Sequence, residues 1–354
     1  MAQSLESMLE DASGFTREEF NIDVVSSELK PYSEDDWKEF CRTNGLDTRA
    51  SGLYIPSAYS AYVNTGSDFL APNIFHELYG HGLFCEHSLI GRELPEMRKE
   101  EQEEFLFDEV PRDQFYGLFS ANIGNYEGFA VWLEGLLSEE IGYNKAWDLK
   151  RGNMPKEYIR LYEKMCDAED QLSRLGLMAQ MGFPKYYDED DVRSIITKLH
   201  RDTGNIHFGM LYGSREPYSD IDLFIVSEKG DSTVYWPWLD MKDMSYKEFR
   251  ERLRLFDVPT SEALFSGEVI MGDSSIVENA KKQLQDQNIT QEAIDYNLRK
   301  SMQQKEIADR YEDNTRVKKD ALSFVESYER NGELLQKGVR PLTYDNIMNH
   351  SSYL

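Results

Sequence analysis

The chain has 354 residues, enough for roughly two domains, and its 40% hydrophobic and 12% aromatic content allows it to bury hydrophobic cores. A formal net charge of −26 disfavours nucleic acid and anionic membranes as partners held by broad electrostatics. The three cysteines lack C-x-x-C spacing, and neither a signal peptide nor a run of ~18 apolar residues is visible, so the sequence predicts a cytoplasmic protein without disulfides or a membrane segment.

The first half of the chain is predicted to be mainly helical. Ser33 is the expected N-cap of an early helix, and residues 53–63, rich in aromatic and small side chains, are expected to supply a strand. Pro72 is expected to begin a helix over residues 73–84, which include His76 and His81. Two further helices follow, an amphipathic one at 125–142 and a long one at 157–182.

The pattern of the sequence changes at residues 185–191, KYYDEDD, and we place a domain boundary there. Apolar stretches after it predict strands at 207–213, 220–228 and 233–241, followed mainly by helices. The predicted fold class is therefore α+β. The predicted domains are a mainly helical domain, a small α/β core and a C-terminal helical region, at 1–188, 189–275 and 276–354.

Two histidines and a glutamate fall within the six residues H-E-L-Y-G-H at 76–81. His76 and His81 are five residues apart, so on an ideal α-helix they diverge by roughly 140° and could not easily share one metal ion. A π-bulge adds one residue to a helical turn and would restore a common face. Gly80 and Gly82 would tolerate such a distortion, so the spacing predicts a local π-helical turn.

This stretch resembles the H-E-x-x-G-H zinc helix of dipeptidyl-peptidase III-type metallopeptidases. The resemblance implies that His76 and His81 bind Zn²⁺ and that Glu77 is the general base of a peptidase. The resemblance covers about six residues and one distant glutamate. In peptidases of this broad class, that glutamate lies on a downstream helix and is the third zinc ligand. Glu127 is the candidate here, with Glu134 on the same helical face as a hydrogen-bond partner for a histidine.

No single residue is favoured for stabilising an oxyanion at this zinc site. Tyr79, Tyr126 and His87 remain open as candidates for that role. A lone histidine is usually not a metal ligand, but two histidines and a glutamate within six residues rarely occur together by accident. A structural or inactivated zinc site is the alternative to an active peptidase.

The second half contains a pair of carboxylates at the start of a predicted strand. Asp220 and Asp222 share one face because side chains alternate along a strand, and adjacent carboxylates favour a cation such as Mg²⁺ between them. Gly213 and Ser214 end the preceding predicted strand, where glycine permits close approach of a phosphate and serine adds a hydroxyl. A capped strand start with no catalytic role is the simpler alternative.

Gly213-Ser214 followed by Asp220-x-Asp222 resembles the signature of the minimal polymerase-β-like nucleotidyltransferases. The resemblance implies that Asp220, Asp222 and a third carboxylate on a later strand hold two Mg²⁺ ions, while Gly213 and Ser214 bind the phosphates of an NTP. Asp240 is the candidate for the third position, at the end of an apolar row on the predicted strand 233–241. The loop of five residues between Ser214 and Asp220 is shorter than is usual in that family.

The leading functional hypothesis is an enzyme with both sites competent. The first would hydrolyse a peptide or protein substrate with Zn²⁺. The second would transfer a nucleoside monophosphate from an NTP to a hydroxyl acceptor, whose identity the sequence does not give. The alternative is a regulatory or antitoxin-like protein of a defence or toxin system in which only one site is active.

Overall fold

The computed structural model describes residues 4–110, 118–200, 205–230, 234–311 and 316–349, with the side chains of Tyr235 and Arg316 left undescribed. The chain divides into two compact units, the first ending at Asp188 and the second beginning at Glu189. The architecture is α+β, as predicted. None of the described helices combines the length and apolarity needed to cross a membrane.

The first unit combines helices with one small sheet. Its helices are α1 (Leu5–Phe20), α2 (Glu34–Thr43), α3 (Leu70–Ile74), a π-helical turn (Phe75–His81), α4 (Gly82–His87), α5 (Lys99–Phe107), α6 (Asn122–Glu140), α7 (Asn144–Asn153) and α8 (Lys156–Gln180). Short 3₁₀ turns lie at Pro56–Ala58 and Gly91–Glu96. Its strands are β1 (Glu28–Tyr32), β2 (Gly52–Ile55) and β3 (Ser60–Asn64).

The sheet of the first unit has the order β1-β3-β2, so β2 lies at an edge. β3 pairs parallel with β1 and antiparallel with β2. The single strand predicted at 53–63 is wrong, because the 3₁₀ turn at Pro56 breaks the stretch into β2 and β3. The predicted N-cap is confirmed, since the Ser33 hydroxyl accepts the backbone N–H of Asp36 at 3.3 Å.

Helix α6 runs through the hydrophobic core of the first unit. Twelve of its residues are buried, among them Phe129, Trp132 and Leu133, so the prediction of an amphipathic helix is wrong. A helix that is apolar on nearly all sides packs against neighbours on all of them. The predicted long helix α8 contains a non-helical residue, Ser173, with φ of 68°.

The second unit contains a five-stranded mixed sheet and helices on either side of it in sequence. Its helices are α9 (Glu189–Leu199), α10 (Tyr246–Arg254), α11 (Val258–Ser266), α12 (Ser274–Asp286), α13 (Gln291–Ala308), α14 (Arg316–Gln336) and α15 (Tyr344–Asn349). Its strands are β4 (Ile206–Tyr212), β5 (Ile221–Ser227), β6 (Val234–Trp236), β7 (Leu239–Ser245) and β8 (Glu268–Gly272).

The sheet order is β6-β7-β5-β4-β8, with β5 and β7 parallel and the other neighbours antiparallel. The strand predicted at 233–241 is wrong as one element. The chain reverses at Pro237 and Trp238, so β6 and β7 form an antiparallel hairpin and the predicted apolar row leading to Asp240 does not exist. Thr233, its first predicted residue, lies outside the described residues. Proline lacks a backbone N–H and fits a turn better than a strand interior.

A buried carboxylate fixes the helical part of the second unit. Asp257 caps α11, accepting the backbone N–H of Thr260 at 3.3 Å and its hydroxyl at 2.7 Å. The hydroxyls of Tyr296 on α13 and Tyr328 on α14 donate to the same carboxylate at 2.7 and 2.9 Å. One side chain therefore connects α11, α13 and α14.

We expect Asp257→Ala to lower the free energy of unfolding by roughly 3–5 kcal/mol, because it leaves several buried donors without an acceptor. Asp273→Ala is the matched control. Asp273 caps the exposed start of α12 by accepting Ser275 N–H at 2.9 Å, and its loss should cost about 1 kcal/mol. Urea unfolding of both variants measures the difference, and equal losses would contradict the role given to Asp257.

Candidate functional site

The histidine motif lies on the predicted π-helical turn, Phe75–His81. Hydrogen bonds between residues five apart make that spacing about one turn, so His76 and His81 point to the same side. Their ring centroids are 4.8 Å apart and the rings are nearly perpendicular, at 89°. The structure confirms the distortion that the extra residue of the motif predicts.

Gly80 brings this turn against α6. A Cβ at position 80 would lie 2.7 Å from Ala130 Cα and 2.8 Å from Ala130 Cβ, closer than side chains pack. The glycine is therefore required by the contact between two backbones as well as by the flexibility that the sequence suggested. This contact places Glu127, one turn before Ala130, beside the histidines.

Glu127 is the third member of the cluster. Its Oε2 atom lies 3.6 Å from His76 Nε2 and 3.7 Å from His81 Nε2. That oxygen is buried and has no hydrogen-bond partner among the described residues. Three ligand atoms on a tetrahedral zinc ion, at bonds of 2.0–2.2 Å, would be roughly 3.3–3.5 Å apart, so the observed separations are close to those of a shared metal.

Glu77 belongs to the same group. One ligand atom each from His76, Glu77 and His81 lie within 4.8 Å of one another, an arrangement that can hold a metal ion. Burial raises the pKa of Glu77 to about 7, with the nearby positive charge of His76 opposing that rise and the Glu127 carboxylate adding to it. Its side chain packs on Gly52 of β2, where a Cβ would lie 2.6 Å from Glu77 Oε1.

Glu134 makes the predicted contact with a histidine. It is fully buried, and its Oε2 lies 2.9 Å from His76 Nδ1. With the proton on Nδ1 donated to this carboxylate, loss of the proton from Nε2 would leave a lone pair on the side of Glu127. Lys150 of α7 pairs with the other oxygen of Glu134, at 2.5 Å.

The two histidines differ in their electrostatic surroundings. Burial lowers the pKa of His76, but its contacts with the Glu127 and Glu134 carboxylates outweigh that effect and raise it to about 10. Burial lowers the pKa of His81 to about 3, against the attraction of Glu127. Burial disfavours the Glu127 carboxylate too, yet its contacts with both histidines and Tyr158 lower its pKa to about 2. The cluster is thus arranged to hold one positive charge next to an ionised Glu127.

Tyr158, on α8, was not identified from the sequence. Its phenol interacts with the Glu127 carboxylate, and its ring centroid lies 6.3 Å from that of His76. Burial is the main reason that its pKa lies well above the usual value, so it stays protonated. No motif surrounds Tyr158 or Lys150, and only the packing of α7 and α8 on α6 brings them here.

The three residues suggested for an oxyanion have other contacts. The Tyr79 hydroxyl donates to Leu9 O at 2.8 Å, and His87 Nε2 lies 2.8 Å from Asp23 O. Tyr126 stacks on the His81 ring at 3.9 Å and is itself buried. Tyr79 and His87 are thereby directed elsewhere, and Tyr126 supports His81.

The second unit brings two of its candidate aspartates side by side. Asp222 on β5 and Asp240 on β7 are register partners across the parallel pair, and Asp220 lies two residues before Asp222. Lys242 Nζ is 3.3 Å from Asp240 Oδ2. Among the described residues, the three aspartates do not form a metal-binding group as close as that of the first unit. Their joint role as ligands stays a prediction.

Gly213 follows β4 and faces Asp222. Its φ is +77°, and a Cβ there would be 2.0 Å from Asp222 Oδ2, so the position requires glycine for both reasons. The exposed Ser214 begins a compact loop in which its hydroxyl accepts the Glu216 N–H at 3.2 Å and its carbonyl accepts the Ser219 hydroxyl at 3.0 Å. The predicted phosphate-binding pair therefore lies next to the predicted carboxylates.

We expect Gly80→Val to weaken the binding of added Zn²⁺, used as the probe metal, about tenfold or more, because the added side chain must separate the π-helical turn from α6 and move Glu127 away from the histidines. Gly14→Val is the matched control, since a Cβ at that helical position meets nothing within 4 Å. Competition with a chromogenic chelator gives both affinities. Full zinc affinity in Gly80→Val would contradict the account of this contact.

Comparison with known protein families and with curated proteins gives no match to this chain. The geometry of the residues in the first unit establishes a His-Glu-His group able to hold a metal ion.

Proposed function

We propose that the first unit is a zinc-dependent peptidase in which His76, His81 and Glu127 hold Zn²⁺. The observation that carries this proposal is the position of Glu127 Oε2, which is buried, lacks a hydrogen-bond partner among the described residues and lies 3.6 and 3.7 Å from the two Nε2 atoms. A buried carboxylate oxygen left in this state favours a cation at that point.

The donor set favours zinc over the other common metal ions. Two imidazole nitrogens and one carboxylate are typical of catalytic zinc sites, which keep a fourth position open. Mg²⁺ and Ca²⁺ prefer shells made of oxygen atoms. Glu134 adds the carboxylate contact that commonly orients a zinc-binding histidine.

The residues around this position have complementary roles in hydrolysis. Zn²⁺, when bound, supplies a Lewis acid that polarises a carbonyl and makes water easier to deprotonate. Glu77, with a pKa raised to about 7, accepts the proton of the attacking water and returns it to the leaving amine. Tyr158 remains protonated and donates its hydroxyl proton in a hydrogen bond to the developing oxyanion.

The neighbouring strand favours an extended peptide as substrate. β2 is an edge strand, and its Gly52 lies directly against the Glu77 side chain. An extended peptide can add to the free edge of a sheet through its main-chain groups. Such a peptide would run past the general base with its scissile bond close to Glu77.

We expect Glu77→Gln to keep one zinc per chain while losing at least about 10²-fold in peptide hydrolysis, because the amide cannot accept the proton. His76→Ala and Glu127→Ala should lose the zinc itself. Metal analysis of freshly purified protein and cleavage of a fluorogenic peptide library measure the two effects.

Three outcomes separate the alternatives at this site. The absence of zinc from the native protein would refute the metal assignment. Zinc at unit stoichiometry without any hydrolysis would instead support the regulatory alternative, in which this site binds a partner. Unchanged hydrolysis in Glu77→Gln would refute its role as the base.

We propose for the second unit a Mg²⁺-dependent transfer of a nucleoside monophosphate from an NTP to a hydroxyl. The observation that favours this second function is that Asp222 on β5 and Asp240 on β7 are register partners. Gly213 packs directly against the Asp222 carboxylate. Mg²⁺ bound by these carboxylates and Asp220 would neutralise the triphosphate and activate the acceptor hydroxyl. Gly213 and Ser214 would hold the outer phosphates through backbone N–H groups and the serine hydroxyl.

We expect the double variant Asp220→Asn/Asp222→Asn to abolish label transfer from α-³²P-labelled NTPs, because neutral amides bind Mg²⁺ poorly. Autoradiography of the protein, of added RNA and of small-molecule acceptors would identify the product. Glu216→Gln, in the exposed loop between the two motifs, is the matched control. Transfer that continues in the double variant would rule out these carboxylates.

A further inference from the structure

We infer that Lys150 is a positioning residue for the metal ligand His76 and acts on it through Glu134. The inference rests on the proposed zinc site and adds to it a residue outside the motif. The ion pair of Lys150 is with the buried Glu134 carboxylate, and that contact connects it to His76.

A continuous chain of contacts joins the three residues. Lys150 Nζ lies 2.5 Å from Glu134 Oε1, and Glu134 Oε2 lies 2.9 Å from His76 Nδ1. Glu134 is completely buried, while the lysine side chain is 17% exposed. A carboxylate so deeply buried needs a compensating charge, and Lys150 is the cation that the structure places on it.

The packing of α7 on α6 determines where the lysine lies. A Cβ at Gly135 would be 2.7 Å from the Tyr162 ring and 3.0 Å from the Trp147 ring, so this glycine lets both side chains approach α6. Trp147 is buried there, and Lys150 follows it by three residues on the same face of α7. The lysine therefore reaches Glu134, the neighbour of Gly135.

The charges of the loaded site explain what Lys150 contributes. A divalent ion and one lysine balance the three carboxylates of Glu77, Glu127 and Glu134. Without the lysine charge, the buried Glu134 would carry an unbalanced negative charge, and its hold on the His76 Nδ1 proton would change. Lys150 keeps Glu134 in place as an ionised acceptor, so that His76 presents the lone pair of Nε2 to the metal.

The first measurement compares zinc affinities at one pH. We expect Lys150→Met to bind Zn²⁺ about tenfold more weakly or worse, since loss of outer contacts to a ligand typically costs 10–100-fold in metal affinity. Lys150→Arg, which keeps the charge, should recover most of that loss. Lys145→Met, the same change at an exposed position of α7, should leave the affinity unchanged.

A double-mutant cycle distinguishes action through Glu134 from general damage to the fold. Glu134→Gln keeps an acceptor for His76 but removes the charge that Lys150 balances. In the Glu134→Gln background we expect Lys150→Met to have no further effect on zinc affinity. The double variant contains neither the Lys150 cation nor the Glu134 carboxylate, so neither charge is left without its partner. The visible absorption of cobalt-substituted protein should change in Lys150→Met and match Glu134→Gln in the double variant.

The outcomes separate this inference from the proposed function. Native protein that binds zinc while Lys150→Met binds it within twofold as tightly would overturn the inference alone. Additive losses in the two single variants would also overturn it, because they would show independent effects. Native protein that binds no zinc would overturn the proposed site, and this inference with it.

Discussion

The close contact between the π-helical turn and α6 is the constraint on which the candidate metal site depends. Gly80 and Ala130 approach so closely that no side chain fits between them, and this separation sets how near Glu127 comes to His76 and His81. The extra residue of the π-helical turn directs both histidines towards α6. Gly80, which has no side chain, lets the turn and α6 come into contact. Neither change alone would bring the three groups together.

The electrostatics of this site follow from that packing. The carboxylates of Glu77, Glu127 and Glu134 surround two buried histidines. Among the described residues, Lys150 is the lysine that forms an ion pair with one of these carboxylates. Although burial lowers the pKa of His76, the Glu127 and Glu134 carboxylates raise it to about 10, so a proton on His76 offsets part of this negative charge. A divalent cation offers a larger positive charge to the same oxygen and nitrogen atoms, and its binding would release that proton.

Residue spacing predicted how the side chains of this site are arranged within each helix, whereas Glu127 was predicted as a third ligand from the resemblance of the H-E-L-Y-G-H motif to a zinc helix. The five-residue separation of the histidines was enough to predict the π-helical turn, and the seven-residue separation of Glu127 and Glu134 placed both on one face of α6. Lys150 and Tyr158 could not be found in this way, because their positions depend on how α7 and α8 pack on α6. Contacts between helices that are distant in sequence produce no regular spacing of residues from which they could be predicted.

The second unit shows the same limit in a strand. The alternating apolar residues that lead up to Asp240 predict one strand, but the alternation runs through a hairpin turn at Pro237, and β6 and β7 are separate strands. Asp240 lies next to Asp222 for another reason, since β7 pairs in parallel with β5 and the register brings the two positions level. A period of two identifies which residues share a face within one strand. Adjacency between strands depends instead on sheet order and register, and here those brought the two carboxylates together although the predicted strand was wrong.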